Sequence, residues 1–350
     1  MRFERRDHPS RVLTVLAPVG AIVAALLVSG LLIALAGANP IRAYGLILKG
    51  AFGSRLGLSE MLTRATPLIL TGLAAAVAFR ARLWNIGGEG QFYLGALGVT
   101  AFGMIPAVAA MPAGVVIPLS MAAGAVAGMI LLLVPLGLRL KFGVDEVVTT
   151  LLLNFVAVLF VSLMIDGVMK DPLAFGWPQS VPVPDSAVLP KLMDRTRLHV
   201  GLLIAAAMAV VVWWLQSRTV FGIRARAAGL NPRAAAFAGV PLGTTLIAVA
   251  CLSGGLAGLA GAIEVMGVKG YVTTDLSPNY GYSGIVIAML ANLNPIGVIG
   301  AALFSAIMFV GADSMSRALS IPSYIADVTV ALSLLTMLVA LFLAQYRIRR

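Results

Sequence analysis

Charge is what this sequence has least of. Asp, Glu, Lys and Arg together make up 11% of its 350 residues, where a soluble domain carries about a quarter. Histidine occurs only at His8 and His199, too few for a zinc or haem centre. The single cysteine, Cys251, lies in an apolar stretch and has no partner for an internal disulfide. No long polar domain interrupts the chain, and no G-x-x-x-x-G-K-[ST] loop occurs in it, so any ATP hydrolysis belongs to another protein. These shortages exclude a soluble enzyme. What is abundant is apolar: 60% of residues, with a mean hydropathy of +1.00. The apolar blocks are long enough for the roughly 20 helical residues that cross a hydrocarbon layer of about 30 Å.

The net charge of +11 would suggest nucleic acid in a soluble chain. Here the basic residues sit between apolar blocks and report orientation instead, with no nucleic-acid partner implied. Met1 to Arg11 carries four arginines and precedes an apolar run from Val12 to Leu35. That run exceeds the 7 to 15 residues of a signal-peptide core, so it reads as an uncleaved first helix that starts in the cytoplasm.

The pattern predicts an all-α polytopic membrane protein with about ten spans: 12–36, 60–79, 90–106, 113–138, 146–166, 198–216, 243–264, 281–293, 296–312 and 323–344. Residues 281–293 are too short to cross unaided and read as a half-helix or re-entrant segment. Both termini then lie inside, and 1–350 forms one transmembrane domain with a cytoplasmic stretch at 1–11, an outer loop at 167–197 and a cytoplasmic loop at 217–242. Lys and Arg concentrate on the inner segments, although Arg42, Lys49 and Arg55 on the first outer loop run against the positive-inside tendency. Gly254, Gly255, Gly258 and Gly261, and likewise Gly124 and Gly128, have the small-residue spacing that lets helices approach closely.

Polar residues inside or beside such spans are the candidates for function. Trp84-Asn85-Ile86-Gly87-Gly88-Glu89-Gly90-Gln91 joins the second and third spans. Its glycines weaken helix, and broken helices at membrane depth line wet cavities. Glu89 either lines a translocation route or gate, or caps the third helix, or pairs with Arg80 or Arg82. No second carboxylate or histidine lies near it in sequence, so no catalytic pair is assigned. A second polar cluster runs from Glu264 to Pro295. Within it Tyr271 and Tyr280 read as an aromatic belt, and Ser283, Asn292 and Asn294 are pathway candidates, the two asparagines competing with a plain turn.

In the inner loop, Asn231 is a good N-cap and Pro232 suits a first turn, so a short helix is predicted over Arg233 to Ala238, stopped by Gly239. It is either a handle for a motor subunit, with Phe237 as the apolar anchor, or an interfacial helix whose arginines hold anionic lipid. The Pro-rich loop 167–197 reads equally as a docking surface for a delivery protein and as an ordered cap.

Pro67 to Ala74, Trp84 to Gln91, Gly143-Val144-Asp145-Glu146-Val147-Val148-Thr149-Thr150-Leu151-Leu152-Leu153-Asn154 and Gly229-Leu230-Asn231-Pro232 resemble the permease subunits of bacterial ABC importers for simple sugars, nucleosides and branched-chain amino acids, most closely the nucleoside-type branch. The similarity runs along nearly the whole chain. It departs at Trp84, where the family usually has Phe, and at Asp145, where it often has Asn. The resemblance implies pseudo-symmetric helix halves and a bacterial inner-membrane location. It also implies a second permease in a heterodimer, a cytosolic ABC ATPase and an extracytoplasmic substrate-binding protein. ATP and magnesium would be held by the ATPase, with no cofactor on this chain. Arg224, Arg226, Asn231, Pro232, Arg233 and Phe237 then fall in the element that couples to the ATPase, and Trp84, Asn85, Glu89, Gln91, Ser283, Asn292 and Asn294 near the substrate route. The expected function is half of a passage for a small polar solute, a nucleoside or simple sugar, moved by alternating access. The rival reading is a secondary transporter driven by an ion gradient, which needs buried ionisable residues that Glu89 alone hardly supplies.

Overall fold

Long apolar blocks become helices because lipid offers no partner to a bare peptide group. The computed structural model describes residues 2–5, 23, 27–35, 37–320 and 322–349. Its helices in chain order are α1 (Leu27–Leu35), α2 (Pro40–Phe52), α3 (Arg55–Arg80), α4 (Gly88–Gly103), α5 (Pro106–Ala109), α6 (Ala113–Phe142), α7 (Glu146–Asp166), α8 (Gly201–Arg218), α9 (Val220–Leu230), α10 (Pro232–Phe237), α11 (Leu242–Glu264), α12 (Tyr280–Leu290), α13 (Pro295–Leu319) and α14 (Ser323–Gln345). A π turn, Val265–Lys269, extends α11. A short antiparallel ribbon pairs β1 (Arg2–Arg5) with β2 (Tyr346–Arg349).

Ten spans are expected from the sequence. Among the described residues six helices are long and apolar enough to cross a membrane, or seven if α1 and α2 make one broken span. The expected span 12–36 lies largely outside the described residues. Those at 90–106 and 281–293 correspond to α4, 16 residues, and α12, 11 residues, both shorter than a span needs.

The chain divides into two compact units, Met1–Leu62 with Leu303–Arg350, and Thr63–Ala302. In the first, α2 occupies a stretch expected to be loop. Asn39 caps it by accepting the N–H groups of Ile41 and Arg42 at 2.9 and 3.2 Å, and Pro40 opens the first turn. Gly50 packs on Ser314, and Gly311 on Ile47.

In the second unit α4, α6 and α11 pack against one another. Gly95 and Gly128 both face Gly258 so closely that an added Cβ would strike the opposing backbone. The glycine spacing in the sequence is therefore helix packing, as expected. α7 lies on α4 and buries one stripe, Glu146, Thr150, Asn154, Ala157, Val161 and Ile165. Its other face, with Phe155 and Leu159, is exposed, as are Ile130 of α6 and Leu203 of α8. Such faces are stable only against lipid or another apolar surface. The loop 167–197 is an ordered cap: Ser180, Val183 and Leu189 donate backbone N–H groups to the carbonyls of Val272, Gly270 and Met266.

Candidate functional site

The break between α3 and α4 is held from three sides. α3 stops at Arg80, and Arg82 takes a left-handed backbone (φ 52°) that turns the chain. The Asn85 and Gln91 amides then pair reciprocally: Asn85 Nδ2 donates to Gln91 Oε1 at 2.9 Å, and Gln91 Nε2 donates to Asn85 Oδ1 at 2.8 Å. Asn85 Oδ1 also accepts the Gly87 N–H at 2.9 Å, and Asn85 Nδ2 reaches Ser253 Oγ of α11 at 3.0 Å. The Ser253 hydroxyl in turn donates to the Ala74 carbonyl of α3 at 2.7 Å. Both amides are buried, and nearly all their bonding capacity is used within the protein.

The second side is α7. Its buried stripe brings Glu146, Thr150 and Asn154, one turn apart, against the same loop. Glu146 Oε1 accepts the Trp84 N–H at 3.3 Å, Thr150 Oγ1 accepts the Ile86 N–H at 3.2 Å, and Asn154 Oδ1 accepts the Gly90 N–H at 2.8 Å. Asn154 Nδ2 donates back to the Ile86 carbonyl at 2.9 Å and to the Tyr282 hydroxyl of α12 at 3.0 Å. Arg139 neutralises Glu146 at 2.6 Å and donates to the Arg82 carbonyl at 3.3 Å. The 84–91 and 143–154 motifs, separate in sequence, are thus each other's hydrogen-bond partners. Glu146, Thr150 and Asn154 belong to a motif read for its resemblance and not as site candidates, although polar residues at i, i+4 and i+8 on an otherwise apolar helix were an available signal; Ser253 and Tyr282 join them in this network.

The third side is α12. Glu89, in the first turn of α4, accepts the Gly281 N–H on Oε2 at 2.7 Å. Its carboxylate therefore sits at the N-terminus of α12, where aligned peptide dipoles favour negative charge. The Glu89 side chain makes no cap bond to its own helix but bonds to the first turn of α12. Arg80 instead donates to Gln216 Oε1 at 2.7 Å. The approach is possible because position 281 is glycine: a Cβ there would collide with the Glu89 backbone. Tyr280, expected in an aromatic belt, is buried with its ring 5.9 Å from Phe92.

The other expected pathway residues fall around this junction. Trp84 is 43% exposed, tilted against Phe79 with ring centroids 4.9 Å apart. Ser283 lies half-buried in the first turns of α12. Asn292 and Leu293 both take left-handed backbone, and Asn294 Oδ1 accepts the Ile296 N–H at 3.0 Å to start α13. The geometry at 292–294 is that of a turn and cap.

The 217–242 segment forms two helices where one was expected. α9 carries Arg224 and Arg226. α10 follows as anticipated: Asn231 Oδ1 accepts the Ala234 N–H at 3.1 Å, Pro232 opens the helix, and Gly239 leaves it at φ 80°. Arg233 is exposed and Phe237 is 97% exposed. α9 is seated directly on the end of α3, since a Cβ at Gly229 would strike the Arg80 carbonyl and the Ala81 backbone. α9, the α3 terminus and the 84–91 loop therefore form one mechanically continuous path.

The family model for a branched-chain amino acid transport system permease component matches residues 57–341. The chain is 35% identical to the glucose ABC transporter permease protein TsgB13 of Haloferax volcanii, over 95% of this chain and 89% of that protein. It is 31% identical to the guanosine ABC transporter permease protein NupP of Bacillus subtilis, over 93% of each. Among solved structures it is similar to PsaBC from Streptococcus pneumoniae in complex with Fab, at a TM-score of 0.50 and 12% identity, covering 85% of this chain and 95% of that one, a likeness of fold alone. All four expected motifs lie in or across the matched residues, and the chain belongs to the family of branched-chain amino acid transport system permease components.

Proposed function

We propose that this chain supplies half of the translocation pathway of an ATP-driven importer for a nucleoside or simple sugar, opening alternately to either side of the membrane. The class beneath that reading is established: the chain is a multi-pass plasma-membrane permease subunit of ABC type. The ion-gradient alternative is set aside by the same relatives, which are ABC transporter permease proteins.

The finer reading is ours. On a ten-span reading both termini and α10 lie in the cytoplasm, and the pattern shared by α3–α4 and α11–α12, each a long helix followed by a break and a short one, supports pseudo-symmetric halves. A second, unlike permease completes the pore, a substrate-binding protein delivers cargo to the outer face, and a cytosolic ATPase binds ATP and magnesium. The choice of nucleoside or sugar rests on the similarity to NupP and TsgB13.

One observation carries the mechanism. α10 presents Phe237 almost wholly exposed, and α9 beside it rests on the backbone of Arg80 and Ala81, immediately before the bonded 84–91 loop. A push on α10 is thereby delivered to α3 and to the Glu89–Gly281 contact, where the short helices α4 and α12 meet. Closely packed elements shift as bodies between discrete arrangements rather than stretching. Trp84 and the partly exposed Tyr282 and Ser283 of α12 offer accessible surface for a solute, and Asn85, Glu89 and Gln91 act as the hinge that sets their position.

The test is uptake by proteoliposomes holding the chain with its ATPase, second permease and binding protein. Labelled guanosine, adenosine and glucose are offered with ATP while ionophores abolish ion gradients. Uptake of one of them that needs ATP supports the reading. Uptake that persists without ATP and stops with the gradient, or no uptake of any of the three, refutes it.

A further inference from the structure

The last turn of α3, the end of α8, α9 and the α12–α13 turn surround a cavity of about 480 Å³. Arg80, Arg82 and Arg226 line it, with Asn292, Asn294 and Trp213. No Asp or Glu is among its lining residues. Among the described residues no carboxylate stands within ion-pairing distance of the three guanidinium groups, and Arg80's side-chain partner is the neutral Gln216 amide. This differs from Arg139 nearby, which has its Glu146.

Three cationic side chains without a carboxylate partner among the lining residues make this hollow attractive to an anion. Guanidinium forks match the oxygens of a phosphate in bidentate geometry, and asparagine amides add neutral donors. A bare phosphate ion would fill little of 480 Å³. The remaining wall, with Trp213, Phe79 and Leu230, suits an organic group attached to it. We propose that this cavity is a binding site for a phosphate ester, supplied either by the headgroup of an anionic phospholipid or by a soluble phosphorylated metabolite. Arg80 belongs to α3 and Arg226 to α9, so a ligand held by both fastens α9 to the helix that carries the 84–91 loop. Binding itself does not depend on the transport reading and is measured without the ATPase or any uptake.

The experiment uses the purified full chain in a neutral detergent and in phosphatidylcholine nanodiscs. AMP and glucose 6-phosphate, with adenosine and glucose as unphosphorylated controls, are titrated while tryptophan fluorescence and the thermal midpoint are followed. In a second arm, native mass spectrometry counts phosphatidylglycerol retained from mixed nanodiscs. Arg82 and Arg226 are exposed and have no bonded side-chain partner among the described residues, so the double variant R82Q/R226Q is the principal probe. The wild type should hold at least one phosphorylated probe about tenfold more tightly than this variant and far more tightly than the unphosphorylated controls. A preference for AMP or glucose 6-phosphate assigns a soluble ester, and a preference for phosphatidylglycerol assigns a lipid. Should the double variant unfold early, the single variants R82Q and R226Q serve instead, each expected to weaken binding of the phosphorylated probe. Equal binding of all probes by wild type and the arginine variants overturns the proposal.

Discussion

The Glu89 carboxylate accepts the Gly281 N–H at 2.7 Å across 192 positions of sequence, joining the start of α4 to the start of α12. Two helices too short to span are thereby tied at their N-termini. Glu89→Gln keeps an acceptor but loses the charge that the α12 dipole favours, and Glu89→Ala loses both. We predict a graded fall in thermal midpoint and in uptake, alanine below glutamine below wild type. A Glu89→Gln variant that matches the wild type would deny the charge its role, and equal behaviour of the two variants would deny the acceptor its own. Gly281→Ala, which drives a methyl into the Glu89 backbone, should cost about 1–3 kcal/mol by overpacking.

Asn154 serves three partners at once, the Gly90 N–H, the Ile86 carbonyl and the Tyr282 hydroxyl. Asn154→Ala strands buried polar groups at a cost of about 1–3 kcal/mol. The loss should fall on uptake more heavily than on membrane insertion, since it frees the 84–91 loop while leaving the apolar blocks intact. Reconstituted uptake measures the first, quantitative membrane blotting the second, and denaturant titration of the solubilised chain the stability cost; unaltered stability would show the ladder to be dispensable.

How much of this was legible in the sequence depends on the range of the interaction. The α10 helix was readable to its ends because Asn231, Pro232 and Gly239 are local signals that act through their own backbone. The crossings at Gly128 and Gly258 were readable because spacing alone places small residues on one face. α2 was missed although Asn39-Pro40 is a good start signal, because Arg42, Lys49 and Arg55 were weighed as loop charges. α9 was missed for the same reason. The interlocking of Trp84–Gln91 with Glu146, Thr150 and Asn154 is tertiary, and no local rule pairs them. Nor does composition tell that Glu89 would meet a helix end 192 residues away rather than Arg80 or Arg82.

His199 lies just before α8, its ring wedged against Gly201 and Gly267, with Nδ1 accepting the Gly201 N–H at 3.1 Å. Burial pushes its pKa down from 6.5 to about 4. The folded chain therefore keeps this imidazole neutral while the unfolded chain takes up a proton below about 6.5. Stability is fully present above that pH and is lost as pH falls toward about 4, because the unfolded state binds more protons there. We predict a larger drop in thermal midpoint on acidification from about pH 7.5 to about pH 5 for the wild type than for His199→Gln. Parallel drops would mean that other groups set the acid limit.

Orientation is open to direct labelling, since Cys251 is the single native thiol. In a Cys251→Ala background, Phe175→Cys in the 167–197 loop should react with an impermeant maleimide added outside intact cells. Phe237→Cys in α10 should react only after the membrane is opened. Both native side chains are fully or almost fully exposed in the chain, at 103% and 97%, so in cells lacking the partner ATPase a failure to react reports sidedness and not burial. The reverse pattern would place α10 on the wrong side for any cytosolic partner.

The coupling role of α10 is tested most directly by comparing ATP hydrolysis with cargo uptake in one reconstituted preparation. Arg233→Ala with Phe237→Ala removes two exposed side chains from a helix whose own cap, Asn231, is untouched. Hydrolysis by the partner ATPase should continue while uptake falls by about tenfold or more, the loss expected when a buried aromatic anchor and its arginine neighbour leave an interface. Uptake that keeps pace with hydrolysis in this variant would contradict the account.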